Sequence, residues 1–331
     1  MTPSPAQIAE AYALTRRTTI RTPLIEAPGL AAASGAARVF VKAESLQRAG
    51  SFKIRGATWR IAQLSESERK QGVVAFSSGN FAQGLAAAGR DAGVPVTIVM
   101  PDDAPAMKRR ATEGWGARVV LSHHGERPRE EAASALARQV AADEGLTLLH
   151  PFDDPAVVAG QAGVAIEVLE QMAKAAAAPD IVASPTGGGG LVGGIALAVR
   201  DRHPQARIFA VEPEGFDGMG RSVGAGAVTR APGGRSLCDA LQAMAPGAAP
   251  FDAAQEAGVE GATVTDDQVR AAMIAAFEQL KLVLEPSGAA AIAALLAGRL
   301  PARGRTVLLI ASGGNIALQD FLAITAGKTN G

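Results

Sequence analysis

Short apolar runs alternate with longer amphipathic stretches along almost the whole chain. The runs RVFVKAE (38–44), GVVAFSS (72–78), PVTIVM (95–100), ARVVL (117–121), TLLH (147–150), DIVAS (180–184), ARIFAVE (206–212) and TVLLIAS (306–312) read as β-strands. Several are continuously apolar, the pattern of strands covered by helices on both faces. Between them lie FAQGLAAAGRDAG, EEAASALARQVAADEG and LVGGIALAVRDR, whose alanine content favours helix. Strand, helix, strand at this spacing predicts parallel βαβ units and open α/β sheets. Residues 213–262, rich in Gly, Pro and Ala, read as the longest irregular excursion, placed to cover a site.

Composition then narrows the function. A chain of 331 residues suits about two domains and buries a sizeable core. The 32 Lys+Arg balance 32 Asp+Glu, so no basic excess is available to displace counterions from nucleic acid or an anionic membrane. A small-molecule partner is expected instead. Cys238 is the one cysteine, which excludes a disulfide framework and a cysteine-cluster metal site and fits a reducing cytoplasm. The start, MTPSPAQIAEAYALT, has neither the basic nor the apolar region of a targeting segment, and no apolar run reaches the ~18 residues of a membrane span. A soluble, unprocessed protein is expected. Glycine is in excess, at 38 residues against a usual ~7%, and it arrives in clumps.

Three of those clumps end strands. GVVAFSS runs into GN, DIVASPT into GGGG and TVLLIAS into GGN, each a hydroxyl residue and glycine ahead of a helical stretch. Ligands of open α/β sheets sit outside the carboxyl ends of strands, where helix N-termini attract anions. Any one of the three could be an ordinary turn; together they favour a shared site. Gly188, Gly190 and Gly193 satisfy G-x-G-x-x-G, and Glu212 ends the next strand, which is the dinucleotide fingerprint with its ribose-binding acid. Four consecutive glycines, Gly187 to Gly190, after Thr186 make a broader nest of N–H groups, better suited to a terminal phosphate. No G-K-[ST] follows, which argues against a triphosphate loop.

Only seven of the 32 basic residues are lysines. Lys42 lies in a strand, Lys70 in SESERK, Lys108 beside Arg109 and Arg110, Lys174 near a helix end, Lys281 within a helix and Lys328 in the C-terminal tail. Lys53 differs: in GSFKIRGA it follows a Gly-Ser turn at the start of a helical stretch, where the helix dipole disfavours a cation. A neutral amine is what forms a Schiff base. Such a lysine, a phosphate nest and two further Ser/Gly strand ends point to pyridoxal phosphate.

In this order and spacing, GSFKIRGA, SSGNFAQG, SPTGGGGLVGG, EPSGAAA and ASGGN resemble the threonine/serine dehydratase and serine racemase family of pyridoxal phosphate enzymes. The resemblance runs from TPL (22–24) to SGGN (312–315). It implies the tryptophan-synthase-beta-like fold type II: two open α/β sheet domains with the cofactor in the cleft between them. Residues 1–69 plus 151–331 would form the large domain and 70–150 a small mobile one, with no C-terminal regulatory domain. A homodimer is also implied.

By the same resemblance, Lys53 holds the cofactor and acts as general base on the substrate Cα proton. Thr186 and Gly187, Gly188, Gly189 and Gly190 donate backbone hydrogen bonds to the phosphate. Asn80 bonds the ring hydroxyl, Phe52 packs against the ring and Ser312 meets the ring nitrogen. Ser77, Asn80 and Phe81, helped by Gln83, clamp the substrate carboxylate. A serine at the ring nitrogen makes a weaker electron sink than an Asp would, which favours elimination of water and then ammonia from a β-hydroxy amino acid. Ser78, opposite Lys53, is the residue through which a serine-type racemase would work, and 3-hydroxyaspartate or phenylserine are alternative substrates.

Two departures qualify the resemblance. SGNF, with Phe81, replaces the usual SGNH, and EPEGFDGMG leaves Glu212 and the Phe216 carbonyl as divalent-cation ligands with Gly218 where a carboxylate is expected. Hard cations need several oxygen ligands, so a tight cation site is not expected. Cys238, in RSLCDALQ, reads as a small buried residue. His123 and His124 read as loop residues, His203 as a helix end and His150 as part of a strand-end HPFDD beside the cleft; none is needed as a base. A dinucleotide-dependent oxidoreductase built on Gly188, Gly190, Gly193 and Glu212, and a non-catalytic relative altered at Phe81, are the competing readings.

Overall fold

The computed structural model describes residues 2–77, 79–125 and 129–327, so Ser78 and Lys328 lie outside the described residues. The strands are β1 (Leu24–Glu26), β2 (Arg38–Ala43), β3 (Val73–Phe76), β4 (Val96–Pro101), β5 (Arg118–Ser122), β6 (Thr147–Leu149), β7 (Ile181–Pro185), β8 (Arg207–Pro213), β9 (Val259–Val264) and β10 (Thr306–Ala311). They form a six-stranded sheet, β1-β2-β10-β7-β8-β9, and a four-stranded sheet, β5-β4-β3-β6. Every pair is parallel except β1–β2. The α/β class with two open sheets is as expected. The four-stranded sheet is drawn from residues 73–149 and the six-stranded sheet from the chain on either side. No helix among the described residues is long and apolar enough to cross a membrane.

All eight strands read from the sequence are present, and two were missed. β1 is three residues long at a sheet edge. β9 corrects the view of 213–262 as one irregular excursion, since that stretch holds helices Gly218–Ala225 and Ala248–Glu256 as well as the strand. Its sequence, VEGATV, is thin because the first of these helices lies on it. A Cβ on Gly261 would fall 2.6 Å from the Gly220 Cα.

The Lys53–Ala62 helix is wedged between helices Asn80–Ala92 and Pro155–Lys174. Glycines permit both approaches: a Cβ on Gly84 would meet the Ile54 nitrogen at 2.9 Å, and one on Gly160 the Gly56 Cα at 2.7 Å. Its largest fully buried side chain is Arg55. The guanidinium forks onto Glu44, Nε to Oε2 and Nη2 to Oε1 at 2.8 Å each, and Nη1 reaches Glu167 Oε2 at 3.0 Å. Lys42, equally buried, donates to Glu167 Oε1 at 2.6 Å and to the Thr22 carbonyl and Gln171 Oε1 at 2.8 Å each. Burial opposes charge on Glu44, but Arg55 and Lys42 outweigh it and hold the carboxyl below its ordinary range.

Two cations and two carboxylates thus neutralise one another, and removing one strands the others. Arg55→Met is expected to cost about 3–5 kcal/mol of stability. Lys70→Met, which breaks an exposed pair with Glu66, is expected to change little. Urea midpoints of the two variants measured side by side check this; equal shifts would show that the buried cluster matters no more than a surface pair.

Candidate active site

A cavity of about 530 Å³ opens where the carboxyl ends of β3, β7 and β10 face one another, within the size range of small-molecule sites. Phe52, Lys53, Ser77, Asn80, Phe81, Thr186, Gly187 to Gly190, Phe216 and Ser312 all line it. The three glycine-bearing strand ends therefore share one site.

Lys53 is the first residue of its helix, and the turn before it is held by the end of β10. The Phe52 N–H donates to the Ser312 carbonyl at 3.2 Å, the Gly314 N–H donates to the Gly50 carbonyl at 2.9 Å, and Ser51 bridges Gly313. Lys53 Nζ donates to the Pro151 carbonyl at 3.2 Å and lies 5.2 and 5.8 Å from the ring centres of Phe52 and Phe81.

At the end of β7, the bonding to β8 continues to the residue after Pro185. The Thr186 N–H donates to the Val211 carbonyl at 2.8 Å and its hydroxyl to the Ser184 carbonyl at 3.0 Å. Thr186 therefore lines the cavity with its N–H already spent, a correction to its expected role as a backbone donor. From Gly187 to Gly190, no N–H has an acceptor among the described residues. Glycine is required here by space: a Cβ on Gly188 would fall 2.3 Å from the Phe152 ring, and one on Gly189, at φ +92°, 2.4 Å from Met219 Cε. A row of unpaired N–H groups at the start of helix Gly190–Arg202 is an anion site.

The loop after β3 is built similarly. Ser77 Oγ accepts the N–H groups of Gly79 and Ala82 at 3.3 Å each, which leaves those of Asn80 and Phe81 without an acceptor among the described residues. The Asn80 amide is fixed on both sides: Oδ1 accepts from Asn315 at 2.7 Å and Nδ2 donates to Glu285 Oε1 at 2.5 Å. Phe81 is almost wholly buried in the core of the four-stranded unit, with its edge on the cavity. Gln83, one helical turn past Gly79, is buried and is not among the residues lining the cavity. Its Nε2 has no hydrogen-bond partner among the described residues.

Of the charged residues on the wall not singled out by sequence, three form one group, Lys108, Asp239 and Glu285, and Arg129 stands at the rim. Lys108, from helix Ala106–Gly114, is nearly buried and pairs across the cavity with Asp239. Glu285 sits behind Asn80, and burial pushes its carboxyl up to about 7 against the pull of Lys108. Nothing in MKRR distinguishes Lys108 from the exposed Arg109 and Arg110; only tertiary burial does.

Glu212 lies off the cavity. Its carboxylate accepts the Met219 and Gly220 N–H groups at 2.7 and 2.8 Å, capping helix Gly218–Ala225, and burial pushes it up to about 8. An acid engaged in this way is not presented to a ribose. Cys238 is buried and its thiol is pushed up by desolvation, as suits a core residue. His150, lowered by burial, accepts the Asp153 N–H at 2.9 Å and packs edge-on against Phe152.

The wall fits pyridoxal phosphate. It offers a lysine for attachment, a nest of free N–H groups on glycines that have no room for a Cβ, a hydroxyl at Ser312 and an amide at Asn80. Comparison with known proteins agrees. The sequence profile described as "Pyridoxal-phosphate dependent enzyme" matches residues 16–313. The L-threonine ammonia-lyase of Thermotoga maritima is 37% identical over 93% of this chain and 75% of its own. The L-threo-3-hydroxyaspartate ammonia-lyase of Saccharomyces cerevisiae is 38% identical over 89% of this chain and 88% of its own. Maize serine racemase superposes with a TM-score of 0.90 at 32% identity, covering 99% of this chain and 98% of its own.

Gly188→Ala is expected to force Phe152 and the nest apart and to weaken retention of pyridoxal phosphate roughly tenfold or more, about 1.4 kcal/mol. Dialysis against graded free cofactor, read by its visible absorption, checks this. Unchanged retention would show that the phosphate binds elsewhere.

Proposed function

The chain belongs to the pyridoxal-phosphate dependent enzyme family, and from that membership we propose that it removes water and then ammonia from a β-hydroxy amino acid of the threonine/serine type, leaving a 2-oxo acid. The observation that carries this reading is the convergence of Lys53, the Gly187–Gly190 nest and Ser312 on one cavity beside the free N–H groups of Asn80 and Phe81. When bound, the cofactor supplies an electron sink adjacent to the substrate Cα.

This chain's residues do the rest. Lys53 is the attachment point and the base that takes the Cα proton. The N–H groups of Gly187 to Gly190 hold the phosphate without a cation. Ser312 offers a hydroxyl too weakly acidic to give its proton to a pyridine nitrogen, so the electron demand stays modest and prompt loss of a β-substituent is favoured. Asn80 and Phe81, first residues of the Asn80–Ala92 helix, present N–H groups to the substrate carboxylate, and Ser77 keeps that turn in place. Lys53, carrying the Cα proton, then delivers it to the departing hydroxyl, so the proton balance of water loss closes on one side chain. The released enamine tautomerises and hydrolyses in water to 2-oxo acid and ammonia.

The proposal extends to a homodimer. Phe277, Leu318 and Leu322 stand about half exposed or more, and the Phe277 ring lies 5.8 Å from that of Phe321 on the same helix as the two leucines. Sedimentation equilibrium is expected to give twice the 33.6 kDa chain mass, and Leu322→Lys to shift it toward the single chain. A monomer at all concentrations would remove this part.

Lys53→Ala is expected to lower kcat by about 10³-fold or more, the upper range of a lost general base. Borohydride should fix the cofactor onto the unaltered chain at Lys53 and leave the variant unlabelled. Quantifying 2-oxo acid and the opposite enantiomer from threonine, serine and 3-hydroxyaspartate separates elimination from racemisation. A variant that turned over at the full rate would overturn the assignment.

A further inference from the structure

Lys108 is the one wall residue whose burial and charge the reading above leaves without a role. Its helix shows Arg109 and Arg110 to solvent, yet Lys108 is only 7% exposed and turns into the cavity. A Cβ on Gly79 would lie 3.7 Å from Lys108 Nζ, so the ammonium stands over the loop whose N–H groups face the substrate carboxylate. Its partner, Asp239, reaches in from the opposite wall with half of its side chain exposed. Glu285 is the other carboxylate facing it, and Arg129, exposed at the rim, is paired with Asp103 at 2.8 Å. Burial alone would lower the Lys108 amine, but Asp239 and Glu285 outweigh it and its pKa is raised, so the charge is retained.

We propose that Lys108 is a specificity-determining residue whose ammonium takes the side-chain carboxylate of a dicarboxylic β-hydroxy amino acid such as 3-hydroxyaspartate. This rests on the elimination reading above and narrows its substrate class. Asp239 shows that the space beside Nζ accepts a carboxylate, and a half-exposed side chain on a short turn yields that place at low cost. A substrate anchored by its α-carboxylate at Asn80 and Phe81 has its β-substituents in the same cavity as Lys108. A methyl there, as in threonine, leaves the ammonium paired only with protein carboxylates. A second carboxylate gains a charge-assisted hydrogen bond in a partly desolvated site.

The test uses the cofactor-loaded enzyme and two variants. Lys108→Met is expected to lower the ratio of kcat/KM for 3-hydroxyaspartate to that for threonine by roughly 30-fold, the effect of truncating a buried charged partner. Asp239→Asn, which removes the competing carboxylate, is expected to raise the same ratio. If Lys108 only clasps the two walls together, both substrates suffer equally in both variants; an unchanged ratio would overturn the proposal. A binding readout separates this from failure of the elimination reading. L-aspartate and L-2-aminobutyrate differ as carboxylate against methyl and carry no hydroxyl to lose. Calorimetry should show the preference for aspartate falling in Lys108→Met, and a preference that is absent or unmoved would sink the subsite whatever reaction the enzyme performs.

Discussion

The Lys53–Ala62 helix enters the cavity edge with its third residue, Arg55, bonded inside a cluster of four buried charges, and that attachment fixes where Lys53 stands. A guanidinium forked onto Glu44 and tied to Glu167 can neither rotate nor slide by a residue without breaking charge-assisted bonds that water cannot replace. The cluster joins points distant in the chain: Glu44 just past β2, Lys42 within it, Glu167 in the long helix before β7 and Thr22 ahead of β1. Hydrophobic packing would hold the helix in place but tolerates small sliding, whereas this network allows one register. The glycines at Gly56, Gly84 and Gly160 then let the neighbouring helices close on it from both sides.

The second constraint is the way β10 reaches across to the other elements. Ser312, the residue after it, lines the cavity while its carbonyl holds the Phe52 N–H, so one residue lines the site and sets the turn that precedes Lys53. Asn315, three residues on, fixes the Asn80 oxygen, and Glu285 fixes the Asn80 nitrogen. With both faces of the amide committed, its remaining N–H has a defined direction. The loop of the four-stranded unit is thereby locked to the six-stranded unit, and the free N–H groups of Asn80 and Phe81 and the turn that carries Lys53 are set by one network.

Much of this was legible because the signals are local. A hydroxyl-glycine strand end needs only its own few residues to announce an anion site, and three of them mark a cavity. Lys53 stood out because lysines are few and its position at a helix start is unfavourable for a cation. What stayed hidden depends on tertiary contact. Lys42 and Arg55 read as an ordinary strand lysine and a motif residue, and their burial exists only because Glu44 and Glu167 arrive to meet them. Lys108 sits among cations in a surface-like helix, and Asp239 lies in a stretch without periodicity. β9 failed the strand pattern because a glycine-rich helix presses on it and strips it of bulk. The G-x-G-x-x-G match was real as a spacing, but the acid that completes it turned to cap a helix, and spacing alone does not report where a side chain points.

The cavity's electrostatics explain how a chain with no net charge can hold two anions. Phosphate and substrate carboxylate are both assigned to backbone N–H groups at helix starts, donors that do not titrate. Glu285 on the wall holds Asn80, and the proposed reaction leaves the wall's other ionisable side chains for other tasks: Lys53 for proton transfer, Lys108 with Asp239 for discrimination. Had a lysine carried the phosphate beside Lys53, each change in the protonation of one amine would have altered the other's hold on its partner through like-charge coupling. With fixed dipoles in that role, Lys53 can gain and lose its proton during the reaction while the groups that anchor both anions stay unchanged.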